Sequence, residues 1–334
     1  MELPSSLLTV SESVGSNKIL VQGPGGNISY KINDSLFIKA SGACLIDAKK
    51  KNIFVKTNLS QIRLAIEKNQ KDPLIGSWSI ENKLRPSIET SLHALMPQKC
   101  VLHVHCVNAL SWVVQNKYEE KIREYLNDLR WASVPYKKPG YELTKALKKV
   151  LKGNYPDVVF LSNHGFVAGA ENPLKVLNLV QDVSKRLSIK TNKFLPKNIS
   201  KLMNYALIMK YKLPKYQHVH SIAISKNSIS IVSKGILFPD QLVFLGSRIR
   251  VVKDIKTFLK SKQNYDSSKS ILLIPDLGLL VPDDFSETSE EMLYGLALIV
   301  ERIPKNASIN YLNKQEENEL INWDAEKYRQ SINK

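Results

Sequence analysis

The chain has 334 residues, long enough for one large domain or two ordinary ones with a sizeable core, and its 43% hydrophobic and 24% charged residues are those of a globular protein. No stretch of eighteen apolar residues occurs, and the start, MELPSSLLTVSESVG, lacks a basic n-region, so neither a membrane span nor a signal peptide is expected, and the cytoplasm is the expected compartment. The formal charge of +17 raises nucleic-acid binding, but the lysines are spread along the chain, with only short clusters at Lys49–Lys51 and at Lys148, Lys149 and Lys152, so the expectation is no nucleic acid and a field that steers a small anion.

Residues 1–15 read as a helix or an ordered arm that stops at Gly15. A glycine loop (Gly23, Gly25, Gly26) then enters a β-hairpin: residues 28–32 and 35–39 alternate apolar and polar around an Asn33-Asp34 turn. Asn27 and Ser41 sit at the two ends of this hairpin, where they could meet. The loop is not a dinucleotide fingerprint, because Ile28 stands where the third glycine is needed and no helix follows.

A short strand at 53–55 and a helix at 58–68, capped by Asn58 or Ser60, come next. Residues 80–83 read as a strand end. Residues 87–96 read as a helix with Pro86 near its first turn, Pro97 beyond its end, Glu89 in the first turn and His93 one turn later. Residues 100–107 form a short apolar strand carrying His103 and His105. Helices at 109–114 and 118–129, a strand at 131–136, a helix at 142–152, the buried strand PDVVFL (156–161) and a helix at 173–191 complete an α/β alternation ending near residue 212.

Beyond it, residues 221–232 read as a hairpin turning at Lys226-Asn227, and ILLIP as a buried strand. Residues 286–302 read as a helix capped by Ser286, and 316–333 as a polar helix carrying Trp323. The expected division is a catalytic domain, 1–212, and a companion subdomain of unknown role, 213–334.

Side chains two apart on a strand point to one face, so His103 and His105 present two imidazoles side by side. His164, in LSNHGFVAGA, is the candidate third ligand of a zinc site with Glu89 beside it. A second His-x-His, His218 and His220, has no acid just before it and no third histidine, and reads as a strand with polar tips. Cys100 and Cys106 flank the first pair; small buried hydrophobes are expected there rather than thiolate ligands. With only three cysteines, disulfides are not expected.

In this order and spacing, GPGGNISYK, IKASGACL, PSIETSLHAL, VLHVH and LSNHGFVAG resemble the class II aldolase/adducin superfamily, whose typical members are zinc-dependent fuculose-phosphate and rhamnulose-phosphate aldolases. The resemblance covers about residues 15–212. The remainder resembles the C-terminal extension of longer relatives in which a rhamnulose-phosphate-type aldolase region is fused to a short-chain dehydrogenase, absent here. The implied fold is α/β: a three-layer domain with a central β-sheet flanked by helices, plus a smaller α/β C-terminal subdomain.

The resemblance implies one Zn2+ per subunit on His103, His105 and His164, with Glu89 as acid/base. It implies a phosphate cradle at Gly26, Asn27, Ser41, Gly42 and Ser87. The second serine of that cradle is Ile88 here, with Lys39 or Arg85 as compensating cations. Tyr136 matches, by position, a tyrosine that serves the aldehyde across a subunit boundary. A homo-oligomer is implied, commonly a tetramer. The expected activity is cleavage or formation of a C–C bond in a ketose phosphate or sugar acid through a metal-bound enediolate. The alternatives are a sugar-phosphate epimerase, dehydratase or decarboxylase, and a non-catalytic adducin-like module, which loses the metal ligands.

Overall fold

The computed structural model describes residues 3–79, 84–191, 198–255, 258 and 270–331. Seven strands form the central sheet: β1 (Asn27–Ile32), β2 (Ser35–Lys39), β3 (Phe54–Asn58), β4 (Cys100–Val104), β5 (Trp131–Val134), β6 (Val158–Leu161) and β7 (Gly165–Ala170). Their spatial order is β3-β2-β1-β4-β7-β6-β5. All neighbours are antiparallel except β5 and β6. The Asn33-Asp34 turn joins β1 to β2 as expected, with Asn33 in the left-handed region at φ 52°.

Strand alternation sorts the side chains into two cores. Cys100, Leu102 and Val104 of β4 share one core with Phe160, Phe166 and the helices Ser5–Ser16, Val107–Val113 and Pro173–Arg186. Val101, Val159, Leu161 and Val167 point the other way, onto Leu92, Leu143 and Leu147 of the helices Thr90–Leu95 and Tyr141–Leu151. The helix Leu59–Glu67 extends that second layer, packing Ile62 and Ile66 against Leu36. A mixed α/β architecture with a helix-flanked central sheet follows, as expected.

The C-terminal part carries a small sheet of β8 (Ile249–Val251), β9 (Ile271–Ile274) and β10 (Gly278–Leu280), in the order β10-β9-β8. It has a core of its own around Leu202, Met209, Leu272 and Leu280. The helix Glu287–Arg302 instead sends Leu293, Leu296 and Val300 into the large core beside Leu110 and Phe238, so that core draws on both sides of residue 212. Among the described residues no single helix is long and apolar enough to cross a membrane.

Several local expectations are corrected. Residues 217–220 form a 3-10 turn, not a strand, and 221–232 are the helices Ser221–Ile224 and Lys226–Lys234, not a hairpin. Ser225 accepts the Ser228 N–H and starts the second helix, whose buried Ser228, Ile231 and Val232 have helical spacing. The helix expected from residue 87 begins at Thr90, and Glu89 stands just ahead of it. The polar helix at 316–333 is two helices, Lys314–Ile321 and Asp324–Ser331, broken at Asn322-Trp323. Strand β7 was not anticipated. The strand end expected at 80–83 lies outside the described residues.

Candidate metal centre

His103 lies inside β4, paired across the sheet with Asn27 on β1 and Val167 on β7. His105 follows just past the strand end. His164 sits in the tight turn between β6 and β7, where Asn163 takes φ 56°. That turn is pinned from the C-terminal part: Asn163 Nδ2 donates to the carbonyls of Leu237 (2.8 Å) and Asn310 (2.7 Å), and Asn310 returns a bond to Asn163 Oδ1. One ligand atom from each of the three buried histidines falls within 4.8 Å of the others, the one such cluster among the described residues.

The hydrogen-bond partners set the tautomers. A carbonyl oxygen can only accept, so His103 carries its proton on Nδ1, which donates to Phe166 O at 3.0 Å. His105 Nδ1 lies 2.9 Å from Asp240 Oδ2, a buried carboxylate contact. His103 Nε2 therefore holds a bare lone pair, and it faces His105 Nε2 at 3.0 Å. Burial also pushes His103 down to about 4 and His164 to about 3, against the pull of Glu89, so these rings are neutral near pH 7, as metal ligation requires.

Glu89 closes the cluster. Its Oε2 is 3.5 Å from His103 Nε2, and its Oε1 is 3.5 Å from His164 Nε2. Burial works to raise its carboxyl, but the three imidazoles and the Asn27 amide outweigh it and hold it at about 2. Oε1 is buried with no hydrogen-bond partner. Zinc takes imidazole nitrogens at about 2.0–2.1 Å, and the 3.0 Å between His103 Nε2 and His105 Nε2 lies within reach of one ion. Three clustered ring nitrogens and an orphaned carboxylate oxygen beside them fit a divalent ion such as zinc.

A relay holds Glu89. Ser29 Oγ bonds His93 Nδ1 at 2.8 Å, His93 Nε2 reaches Asn27 Oδ1, and Asn27 Nδ2 donates to Glu89 Oε2 at 2.7 Å. His93, left without a role in the sequence reading, thus fixes which end of the Asn27 amide meets Glu89.

The expected cradle residues do come together. Segment 85–87 pairs with the end of β2 through Ser41 N to Arg85 O (2.8 Å) and Ser87 N to Lys39 O (3.2 Å). Gly26, Asn27, Ser41, Gly42 and Ser87 line one cavity with Glu89, His105 and His164. Gly26 (φ 65°) backs onto β4 so closely that a β-carbon there would lie 2.8 Å from His103 O. Ile88 lines the cavity too, and it also lines a neighbouring cleft of about 440 Å3.

Lys39 borders the cavity, but its ammonium donates to Pro24 O (2.7 Å) and Ala43 O (2.6 Å), and burial lowers it to about 8. Arg85 stays outside and stacks on Tyr328. Tyr136 is not on the cavity within the subunit. It packs against Ile236, Leu242, Leu312 and Leu320, with its hydroxyl lacking a partner. The second histidine pair is divided: His218 meets Glu301 and His220 accepts the Leu279 N–H. Cys100 and Cys106 are free and buried, and burial pushes the Cys100 thiol up to about 12.

Three residues that the sequence reading missed complete the wall: Asp240, Glu326 and Arg329. The cavity they help to close measures about 30 Å3, room for roughly two waters at about 10–15 Å3 each. Pro239-Asp240 has the form of an ordinary helix start, and Arg329 sits on a short polar helix, so neither carried a signal in the sequence.

A family model described as "Class II Aldolase and Adducin N-terminal domain" matches residues 6–190. The uncharacterized oxidoreductase YuxG of Bacillus subtilis (strain 168) is 28% identical over 202 residues, covering 54% of this chain and 29% of that protein. The chain thus spans less than a third of this relative's length. Among solved structures, the N-terminal class II aldolase domain of a conserved Thermoplasma acidophilum protein is 25% identical, covering 56% of this chain and 94% of that one, with a TM-score of 0.47. An L-fuculose 1-phosphate aldolase is 20% identical, covering 62% and 98%, with a TM-score of 0.41. A sugar-phosphate aldolase from Thermotoga maritima is 14% identical, covering 62% and 95%, with a TM-score of 0.42. With more than half of its length matched by the family model, this chain belongs to the class II aldolase and adducin N-terminal domain family.

Proposed function

We propose that the protein is a metal-dependent lyase of the aldolase type, acting on a ketose phosphate or a related sugar acid. The observation that carries this reading is the convergence of ring nitrogens of His103, His105 and His164 with Glu89 beside a cavity. His103, His105 and His164 would hold the ion, with zinc favoured by the donor set. When bound, such an ion polarises a substrate carbonyl and its neighbouring hydroxyl.

The remaining chemistry belongs to the chain's own groups. Asn27 holds Oε2 of Glu89, which leaves Oε1 without a partner and able to move a proton. In the direction of bond formation, the ionised Glu89 takes a proton from the carbon next to the carbonyl, and that carbon then adds to an aldehyde. In cleavage the ionised Glu89 takes the C4 hydroxyl proton as the C3–C4 bond breaks and the aldehyde leaves, and it then returns that proton to C3. The turn at Ser41-Gly42 and Ser87 would receive the anionic end. Glu326 and Arg329, on the helix Asp324–Ser331, would border the bound sugar fragment. On this reading residues 1–212 form the catalytic domain and 213–334 help to complete its site. The family likeness supports a homo-oligomer.

A second reading follows from Ile88, which offers no hydroxyl where the family's cradle has one. The same proton transfer without the phosphate would serve an epimerase, a dehydratase or a decarboxylase of sugar acids. Incubating metal-loaded protein with ketose 1-phosphates and sugar acids, and trapping any aldehyde, separates the two: aldehyde release supports the lyase, and an isomer or carbon dioxide supports the alternative. Glu89→Gln should keep its metal and lose about 100-fold or more in rate, as expected for loss of a general base. Full activity in that variant would remove Glu89 from the mechanism.

A further inference from the structure

The ring nitrogens of His103 and His105 that face away from the cluster are held in different ways. His103 leans on Phe166 O, a carbonyl of the same sheet. His105 lies beyond the end of β4 and meets a buried carboxylate: Asp240 Oδ2, 2.9 Å from Nδ1. Asp240 is held in turn. Its Oδ1 accepts from Arg329 Nη2 at 3.1 Å, while Arg329 Nη1 donates to both oxygens of Glu326, at 3.0 and 2.9 Å. All three lie outside the region matched by the family model, residues 6–190. Asp240 starts the helix Pro239–Leu245, and the other two ride on the helix Asp324–Ser331.

We propose that Asp240 is a positioning residue of the metal centre and that Arg329 holds it to that task. Asp240 keeps the His105 proton on Nδ1 and turns Nε2 toward His103. Its charge makes that Nε2 a stronger donor to a metal. Arg329 fixes the carboxylate, with one oxygen toward the guanidinium and the other toward the imidazole. The C-terminal helix is thereby coupled to metal affinity as well as forming part of the cavity wall. The inference rests on the metal reading of the histidine cluster.

A purely structural role would only pin the helix Asp324–Ser331 to the body, and metal affinity separates the two. Zinc and cobalt affinities are measured by competition with a chromogenic chelator, and the visible spectrum of the cobalt form is recorded. Asp240→Ala should weaken metal binding by about 10–100-fold, the usual effect of losing such an outer partner. Asp240→Asn should lose less, because its amide oxygen still accepts the Nδ1 proton. Arg329→Gln should shift affinity in the same direction by a smaller factor, with partial recovery in Arg329→Lys. The cobalt bands should change in the Asp240 variants. Circular dichroism checks folding, and if Asp240→Ala does not fold, Asp240→Asn and Arg329→Gln decide. Wild-type protein that binds metal, alongside folded variants with unchanged affinity and spectrum, overturns the positioning role. Wild-type protein that binds neither ion overturns the metal reading itself.

Discussion

Asn27 Nδ2 donates to Glu89 Oε2 at 2.7 Å, and this bond joins the first strand of the sheet to the residue that opens the helix Thr90–Leu95. Both groups are buried, so the bond carries the full effect of a charge-assisted contact in a site with little water.

Asn27→Asp would set a second carboxylate against Glu89 and remove the amide donor that holds Oε2, while its other oxygen could still accept from His93. Repulsion between the two should raise the Glu89 carboxyl from its low value. We expect at least about a tenfold fall in kcat, since hydrogen bonds to charged groups are worth about 1.5–3 kcal/mol. The acid limb of the pH–rate profile should move to higher pH. An unmoved limb would show that Asn27 does not set the protonation of Glu89.

The buried histidines make the metal-free protein acid-sensitive. Burial holds His93 at about 3 and His220 at about 4, below the ordinary 6.5. Between those values and 6.5 the unfolded chain binds protons that the folded chain refuses. Stability is therefore complete above about pH 6.5 and is lost as pH falls through the folded values, by up to about 1.4 kcal/mol per pH unit for each such group. Urea midpoints of apo protein from about pH 7.5 down to about pH 4.5 measure the slope. His220→Gln, which retains an acceptor for the Leu279 N–H, should flatten it; a midpoint independent of pH would contradict the neutral buried rings.

Gly165 begins β7 directly after His164, at φ 142°, and a β-carbon there would lie 2.2 Å from Val104 O. Gly165→Ala must push β7 away from β4 and carry His164 with it. A loss of more than about 2 kcal/mol in urea unfolding is expected. Weaker zinc binding should accompany it in the fraction that folds. A variant as stable as wild type would mean that this strand pair yields easily.

Ile88→Ser tests the anion at the cradle. If the substrate carries a phosphate, the added hydroxyl should lower KM for phosphorylated ketoses by about 3–10-fold, one hydrogen bond of about 0.5–1.5 kcal/mol, with little change in kcat. Sugar acids without phosphate should show no gain. If phosphorylated substrates bind more weakly instead, the Ile88 side chain is itself a contact that the ligand uses.

Much of the fold was legible because it is set locally. The Asn33-Asp34 turn, the Asn58 cap and the Ser286 cap each depend on residues within a few positions, and all three formed where the sequence placed them. Residues 221–232 misled because their short apolar run fits either period until Ser225 caps a helix. Strand β7 was missed because its glycines and alanines look like a loop until β4 and β6 supply partners on both sides. Tyr136 matched by position alone, and position says nothing about the C-terminal side chains that pack against it.

The residue types by themselves determined the donor set: three imidazoles and a carboxylate are what they are in any fold, and a two-residue strand repeat puts two of the imidazoles side by side. What the far nitrogen of each ring meets was a matter for the tertiary structure, since the partners lie far away in the chain, Phe166 for His103 and Asp240 for His105. The same holds for the whole C-terminal contribution. A buried carboxylate and guanidinium persist only where they find each other, and no pattern along the chain records that Asp240 and Arg329 meet beside His105.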